Sequence, residues 1–160
     1  MPGLEDLYRE IILDHYRNPR NRGELVVPPA HRVEGFNPLC GDEIVVYLEV
    51  DGDDVVTDIR IGGQGCSISQ SSASMMSAAV KGKTVDEVHQ LTKAFKAMMS
   101  IHESSLEGDE VEPEEFPDVN LGDLEALRGV VKFPVRIKCA TLSWNTLAQG
   151  IAEALDAPEA

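Results

Sequence analysis

Three cysteines in separate segments, with an aspartate beside the first, place the strongest constraint on how this chain can fold. Asp42 follows Cys40 by two residues, while Cys66 and Cys139 lie in other parts of the 160-residue sequence. Three thiolates and a carboxylate together suit tetrahedral zinc or one iron pair of a cluster, whereas three cysteines cannot all pair as disulfides. We therefore expect a fold that brings these four side chains together around a metal.

The composition is that of one globular domain, which we predict to span residues 1–160. Hydrophobic residues make up 42% of the chain and charged residues 26%, and a chain of this length can bury a core. The formal net charge is −14, and ten acidic residues with no Lys or Arg lie within residues 103–125, which we interpret as an acidic insertion. Because the chain has no basic run, it lacks the positive charge that binds phosphate backbones, which argues against a nucleic-acid partner.

The sequence predicts a soluble, cytoplasmic protein. Residues 1–6 contain no cationic region followed by an apolar stretch, and no apolar run is long enough to span a bilayer. An odd number of cysteines without a secretion signal agrees with a reducing compartment. We therefore expect no membrane association and no structural disulfide.

Hydrophobic periodicity predicts an α+β fold, a small antiparallel three-stranded sheet with helices packed on one face. The predicted strands are 33–36, 43–50 and 55–61, and a turn at 51–54 joins the last two. The predicted helices are 4–17, 67–81, 84–102 and 121–128, followed by a C-terminal helix after Cys139. Residues 104–120 are interpreted as a long acidic loop and 135–138 as an extended stretch that leads into Cys139.

The local sequence places two cysteines at the N-termini of predicted helices, where the helix dipole favours the thiolate. Cys66 follows the glycine-rich segment 62–65, and Cys139 precedes the last predicted helix. Two ordinary interpretations stay open at this level. A free cysteine is often a small buried hydrophobe, and Asp42 after Gly41 also suits a solvated turn.

Competing functional classes can be compared on motifs. The sequence has no Cys-x-x-Cys pair, which disfavours a zinc ribbon or a ferredoxin, and no phosphate-binding loop, nucleophile elbow or dinucleotide fingerprint. None of the four histidines has ligand spacing to a cysteine, and His15 and His89 lie on predicted helices, where surface or interface roles are commoner than ligation. A Cys–His hydrolase with His31 or His102 as its base remains an alternative. A purely structural zinc domain does not explain why Asp42 stands in for a fourth Cys or His.

Several segments together resemble the U-type iron–sulfur cluster assembly proteins, the IscU/SufU/NifU N-terminal family. They are Asn-Pro-Leu-Cys-Gly-Asp at 37–42, Gly-Cys-Ser-Ile-Ser-Gln-Ser-Ser-Ala at 65–73 and Arg-Ile-Lys-Cys at 136–139, with typical segments also at 7–19 and 81–83. By this resemblance the metal or cluster site consists of Cys40, Asp42, Cys66 and Cys139. The resemblance also implies the U-type scaffold fold and a cysteine desulfurase as the partner.

Three departures from the IscU type place the chain closest to the SufU-type branch. Lys138 precedes the third cysteine, where IscU-type scaffolds carry His, and residues 133–138 do not reproduce their Leu-Pro-Pro-Val-Lys chaperone motif. The interval from Cys66 to Cys139 is also longer than in IscU-type members, through an insertion that resembles the SufU branch.

The resemblance implies a zinc-binding sulfur acceptor in iron–sulfur cluster biogenesis. In this interpretation Cys40 accepts persulfide sulfur from a SufS-like or IscS-like desulfurase, while Asp42, Cys66 and Cys139 keep the zinc. The alternative is a scaffold that assembles a transient [2Fe–2S] cluster on the same residues, with Cys139 as the first sulfur acceptor. The chain would then be either a zinc-dependent sulfurtransferase or a non-enzymatic scaffold, and would serve a downstream iron–sulfur acceptor or scaffold protein.

Overall fold

The described part of the chain, in a computed structural model, folds into one sheet, four α-helices and one 3-10 helix. The structure describes residues 4–27, 30–38, 41–106, 122–132 and 134–156. In chain order the elements are α1 (Leu4–Arg17), β1 (His31–Asn37), β2 (Asp42–Val50), β3 (Val56–Gln64), α2 (Ser67–Val80), α3 (Val85–Leu106), the 3-10 helix (Gly122–Lys132) and α4 (Pro134–Asp156). None of the helices in the described part of the chain is both long and apolar enough to cross a membrane.

The three strands form an antiparallel sheet in the order β1-β2-β3. Asn37 at the end of β1 pairs with Asp42 at the start of β2, and Glu43 pairs with Gln64 at the end of β3. Asp42 and the segment that leads from β3 to Cys66 therefore lie at the same end of the sheet. This end of the sheet positions the candidate site.

One face of the sheet is buried by the helices. Along β2, Ile44, Val46 and Leu48 alternate inward and are at most 4% exposed, because successive side chains of a strand point to opposite faces. Trp144 of α4 is fully buried and stacks on Phe95 of α3, with ring centroids 5.0 Å apart. These contacts join α3, α4 and the sheet into one hydrophobic core.

The N-terminal helix is anchored through a buried histidine. His15 Nδ1 lies 2.8 Å from Ser74 Oγ on α2, and Nε2 lies 2.9 Å from Asp123 Oδ2 on the 3-10 helix. Because the backbone amide of Arg20 donates to the same serine oxygen, the hydroxyl proton is free to point at the imidazole. Of the surface or interface role predicted for His15, the structure shows the second, since an imidazole that is hydrogen-bonded at both nitrogens can be buried between elements.

The predicted fold class is confirmed, with one local correction near the third cysteine. The predicted extended stretch 135–138 is wrong, because these residues form the first turns of α4, which begins at Pro134. Alternating β-branched residues favoured a strand, but proline at the first helical position fixes a helical φ and gives up an amide that no helix would use. Cys139 consequently lies inside the helix rather than before it.

The acidic segment is described only at its two ends. Helix α3 continues to Leu106, past the predicted end at residue 102, and the 3-10 helix begins at Gly122, close to the predicted helix at 121–128. Residues 107–121, where most of the predicted long loop falls, lie outside the described residues. The extent of the insertion therefore stays a prediction.

Candidate metal centre

Asp42 is the first residue of β2 and is fully buried. Gly41 precedes it with φ +69°, a left-handed conformation that glycine adopts without strain and that turns the chain into the strand. The open interpretation of Asp42 as a solvated turn residue is wrong, since a carboxylate in a turn would face water. Its side chain instead points toward the start of α2.

Cys66 caps the N-terminus of α2. Its φ and ψ are extended, and its sulfur accepts a hydrogen bond from the Ser69 amide at 3.5 Å. The backbone amide of Cys66 donates to Asp42 Oδ1 at 2.9 Å. The first turn of α2 therefore holds both the thiol and the carboxylate, in keeping with the predicted position of Cys66 at a helix N-terminus.

Cys139 is fully buried in the second turn of α4. The Ser72 hydroxyl of α2 donates to the carbonyl of Ala140 at 2.6 Å, which fixes α4 against α2 beside the cysteine. Asn37 Nδ2 lies 3.9 Å from the Cys139 sulfur. The third cysteine is thus positioned by helix packing and by the end of β1.

Asp42, Cys66 and Cys139 form one cluster. One ligand atom from each, a carboxylate oxygen and two sulfurs, lies within 4.8 Å of the others. Around a tetrahedral zinc with bonds of about 2.3 Å, two sulfurs are about 3.8 Å apart, so small side-chain movements would close this group on an ion. Both cysteines are free thiols. The donor set fits zinc, and three donors account for three of the four positions that zinc prefers.

The Asp42 carboxyl is held in its ionised form. Burial opposes ionisation, but the Cys66 amide and the side chains of Cys139, Ser69 and Cys66 donate hydrogen bonds, and together they lower the pKa of Asp42 below its ordinary value. An ionised carboxylate is the form that binds a cation. The site is therefore ready to bind a metal at neutral pH without first losing a proton from Asp42.

Arg136 adds a positive charge beside the sulfurs. The negative charge of Cys66 and a hydrogen bond to Cys139 raise the pKa of the Arg136 guanidinium still further above its ordinary value. Arg136 itself is exposed, so it contacts the cluster from the solvent side. The arrangement places a permanent cation beside the two thiols.

The structure brings together three of the four predicted ligands. Cys40 lies outside the described residues, so its place as the fourth ligand stays a prediction. The Cys–His hydrolase alternative gains no support from His31. This histidine begins β1, whereas Asn37, which lies beside the Cys139 sulfur, ends the same strand about 20 Å away. The side chain of His102 lies outside the described part of α3.

Sequence reasoning missed Arg136, Asn37 and Ser72 as neighbours of the site. Arg136 lies three residues before Cys139. In the predicted extended stretch the two side chains would point to opposite faces, whereas in a helix they share a face. Proline at position 134 was the signal that could have indicated a helix start. Ser72 belongs to a run of serines, and only the packing of α2 on α4 distinguishes it from its neighbours.

Comparisons with known proteins agree on the family. The family model for the NifU-like N-terminal domain matches residues 7–140. The chain is 47% identical to the zinc-dependent sulfurtransferase SufU of Bacillus subtilis over 94% of this chain and 92% of that protein. It is 37% identical to the iron–sulfur cluster assembly scaffold protein IscU of Streptococcus pyogenes, over 96% of this chain and 88% of that protein.

A solved structure is similar over the whole fold. The crystal structure of the N-terminal part of a NifU-like protein from Brucella abortus aligns with a TM-score of 0.78 and 25% identity, covering 98% of this chain and 100% of that one. The resemblance stated from the sequence is thereby confirmed. The match to the family model, the two relatives and the shared fold establish that this chain belongs to the NifU-like N-terminal domain family.

Proposed function

We propose that this protein acts in iron–sulfur cluster biogenesis as a zinc-binding acceptor of persulfide sulfur from a cysteine desulfurase. The observation that carries the proposal is the cluster of Asp42, Cys66 and Cys139, whose ligand atoms lie within 4.8 Å of one another. The carboxylate in this cluster, that of Asp42, is held in its ionised form. The name of the 47% identical relative, a zinc-dependent sulfurtransferase, supports the same assignment. We place the reaction in the cytoplasm, with a downstream iron–sulfur acceptor or scaffold protein receiving the sulfur.

The residues take distinct roles in this proposal. Asp42, Cys66 and Cys139 hold the zinc, with Cys40 as the fourth ligand. Bound zinc keeps thiols deprotonated and protects them from oxidation. Cys40 must be free when it reacts, because a lone pair shared with a metal attacks poorly.

The transfer step is a thiol–persulfide exchange. The Cys40 thiolate forms a bond to the terminal sulfur of the desulfurase persulfide, and the bond between that sulfur and the desulfurase cysteine breaks. The electron pair leaves with the desulfurase cysteine as a thiolate, and the terminal sulfur carries its negative charge with it to Cys40. No external oxidant or reductant is needed.

Desulfurase turnover tests the proposal directly. We expect the zinc-loaded protein to stimulate the enzyme strongly and the metal-free protein to do so weakly. The Cys40→Ala variant, loaded with zinc, should carry no persulfide by mass spectrometry. Equal stimulation by the zinc-loaded and metal-free proteins, or a persulfide that persists in Cys40→Ala, would contradict the proposal.

A scaffold for a [2Fe–2S] cluster is the second candidate, and the carboxylate in the cluster favours it. A carboxylate binds iron less tightly than a thiolate does, so Asp42 would keep a cluster labile and transferable. Cys139 would then be the first sulfur acceptor. On this alternative Asp42→Ala should lengthen the lifetime of a reconstituted cluster, whereas an unchanged lifetime would count against it.

A further inference from the structure

Arg136 occupies a particular place relative to the metal ligands. It lies three residues before Cys139 on α4, so the two side chains share a helix face about one turn apart. Its guanidinium is within hydrogen-bonding reach of the Cys139 and Cys66 sulfurs. Arg136 is exposed, whereas Cys139 and Asp42 are fully buried. Anything that reaches the sulfurs from this side meets the guanidinium first.

The other arginine near the start of α2 is committed elsewhere. Arg22 donates through Nη1 to Gln70 at 3.2 Å and through Nη2 to the carbonyl of Gly63 at 3.0 Å. These bonds tie it to the glycine-rich segment and to α2. Arg136, by contrast, directs its charge at the sulfurs themselves, and its five donors can serve a cysteine sulfur and an incoming anion together.

We propose that Arg136 is a positioning residue that binds the anionic terminal sulfur of a persulfide as it arrives and after it has been transferred. This inference rests on the proposed function and names the substrate group that the same site recognises. During transfer the acceptor thiolate bonds to the terminal sulfur, the bond to the donor cysteine breaks, and the electron pair leaves with the donor sulfur. The transferred sulfur keeps its negative charge throughout, so one thiolate and one persulfide anion enter the step and the same two kinds of anion leave it.

Electrostatics explain why such a residue is needed. A persulfide is more acidic than a thiol, so the donor and the acceptor sulfurs approach each other as anions. The carboxylate of Asp42 and the net charge of −14 add to the repulsion. A single positive charge about 5 Å from the reacting sulfur, in water, changes the local concentration of a monovalent anion about fourfold.

Paired alkylating reagents can measure this attraction without any partner protein. Iodoacetate is an anion and iodoacetamide is neutral, and both react only with the thiolate, so the ratio of their rates at a given cysteine cancels differences in thiol ionisation. The experiment uses the full chain after metal removal by a chelator, at low salt, with modification of Cys66 and Cys139 followed by peptide mass spectrometry. The variants are Arg136→Gln, Arg136→Lys, which keeps the charge, and Arg32→Gln, which removes an arginine that hydrogen-bonds Tyr47 on the sheet.

We expect Arg136→Gln to lower the iodoacetate-to-iodoacetamide ratio about fourfold, and Arg136→Lys and Arg32→Gln to leave it close to the wild-type value. An unchanged ratio in Arg136→Gln, or an equal fall in Arg32→Gln, would overturn the proposal. Should Arg136→Gln lose its circular dichroism signal, the salt dependence of the wild type decides. Attraction by Arg136 makes the ratio fall as salt is added, whereas repulsion by the negative chain alone makes it rise.

These outcomes are separate from those of the proposed function. A wild-type protein that shows the charge preference but never stimulates a desulfurase would contradict the sulfur relay and leave the anion-binding role of Arg136 standing. If the zinc-loaded protein stimulates the desulfurase but Arg136→Gln leaves the iodoacetate-to-iodoacetamide ratio unchanged, the sulfur relay stands and the role of Arg136 is contradicted.

Discussion

The backbone amide of Cys66 donates a 2.9 Å hydrogen bond to Oδ1 of Asp42, joining the start of α2 to the first residue of β2. The second carboxylate oxygen, Oδ2, lies 3.9 Å from the Cys66 sulfur. One oxygen therefore satisfies the helix N-terminus while the other faces the cluster. A single side chain thus serves both the fold and the site, and a substitution can separate the two roles.

Asp42→Asn and Asp42→Ala are expected to differ in stability but not in metal binding. Asparagine keeps an oxygen that can accept from the Cys66 amide, whereas alanine leaves that half-buried amide without its acceptor, which costs toward the lower end of about 1–3 kcal/mol. Both remove the anionic ligand, and we expect zinc affinity to fall at least about tenfold in each, roughly 1.4 kcal/mol. Denaturant unfolding of the metal-free proteins and chelator competition measure the two effects. Equal stability of the two variants would contradict the structural role.

Gly65→Ala should disturb the site more than the fold. A methyl group at this position would lie 2.6 Å from Asp42 Oδ1 and 2.5 Å from Ser69 Oγ, so the carboxylate must move. We expect weaker zinc binding in chelator competition, with a circular dichroism spectrum like that of the wild type. Gly52→Ala is the matched control, because nothing lies within 4 Å of its added methyl group. Wild-type zinc affinity in Gly65→Ala would show that the carboxylate can shift without cost.

Ser72→Ala should destabilise the protein where Ser71→Ala does not. Ser72 Oγ donates across to the carbonyl of Ala140 on α4, whereas Ser71 Oγ donates to Ile68 within its own helix. Both serines are fully buried. Losing the bond between helices should cost about 1 kcal/mol, measured by urea unfolding, while the loss within one helix is offset by the higher helix propensity of alanine. Equal effects of the two substitutions would refute the distinction.

Glu87→Gln should lower stability in a pH-dependent way. Glu87 accepts hydrogen bonds from the amide and the hydroxyl of Thr84 in the predicted capping box, and these bonds lower the pKa of Glu87 below its ordinary value of 4.5. The stabilisation is complete above the unfolded-state pKa and is lost as the pH falls through the lower folded-state value. The difference in unfolding free energy between wild type and Glu87→Gln should therefore shrink in acid. A difference that stays constant with pH would contradict this origin.

Local patterns predicted most elements because each has a signal within a few residues. The apolar stripe of α1, the alternation along β2 and the Thr84–Glu87 capping box depend on near neighbours, and the structure has all three. The element around Cys139 was predicted wrongly. Its β-branched residues suit a strand, but the packing of α4 on the sheet and on α2 stabilises a helix there.

The sequence alone specifies the residue types of the site, since the chemistry of thiols and carboxylates limits which side chains can hold a soft divalent metal. It also determined that Cys66 would cap a helix, because the glycines before it and the small residues after it act locally. Three other facts come from tertiary packing: Asp42 is buried rather than solvated, Cys139 lies within a helix, and Arg136 lies beside the sulfurs. Those facts depend on how α4 packs against α2 and the sheet, and contacts between residues about 70 or 100 positions apart leave no periodic signal in one sequence.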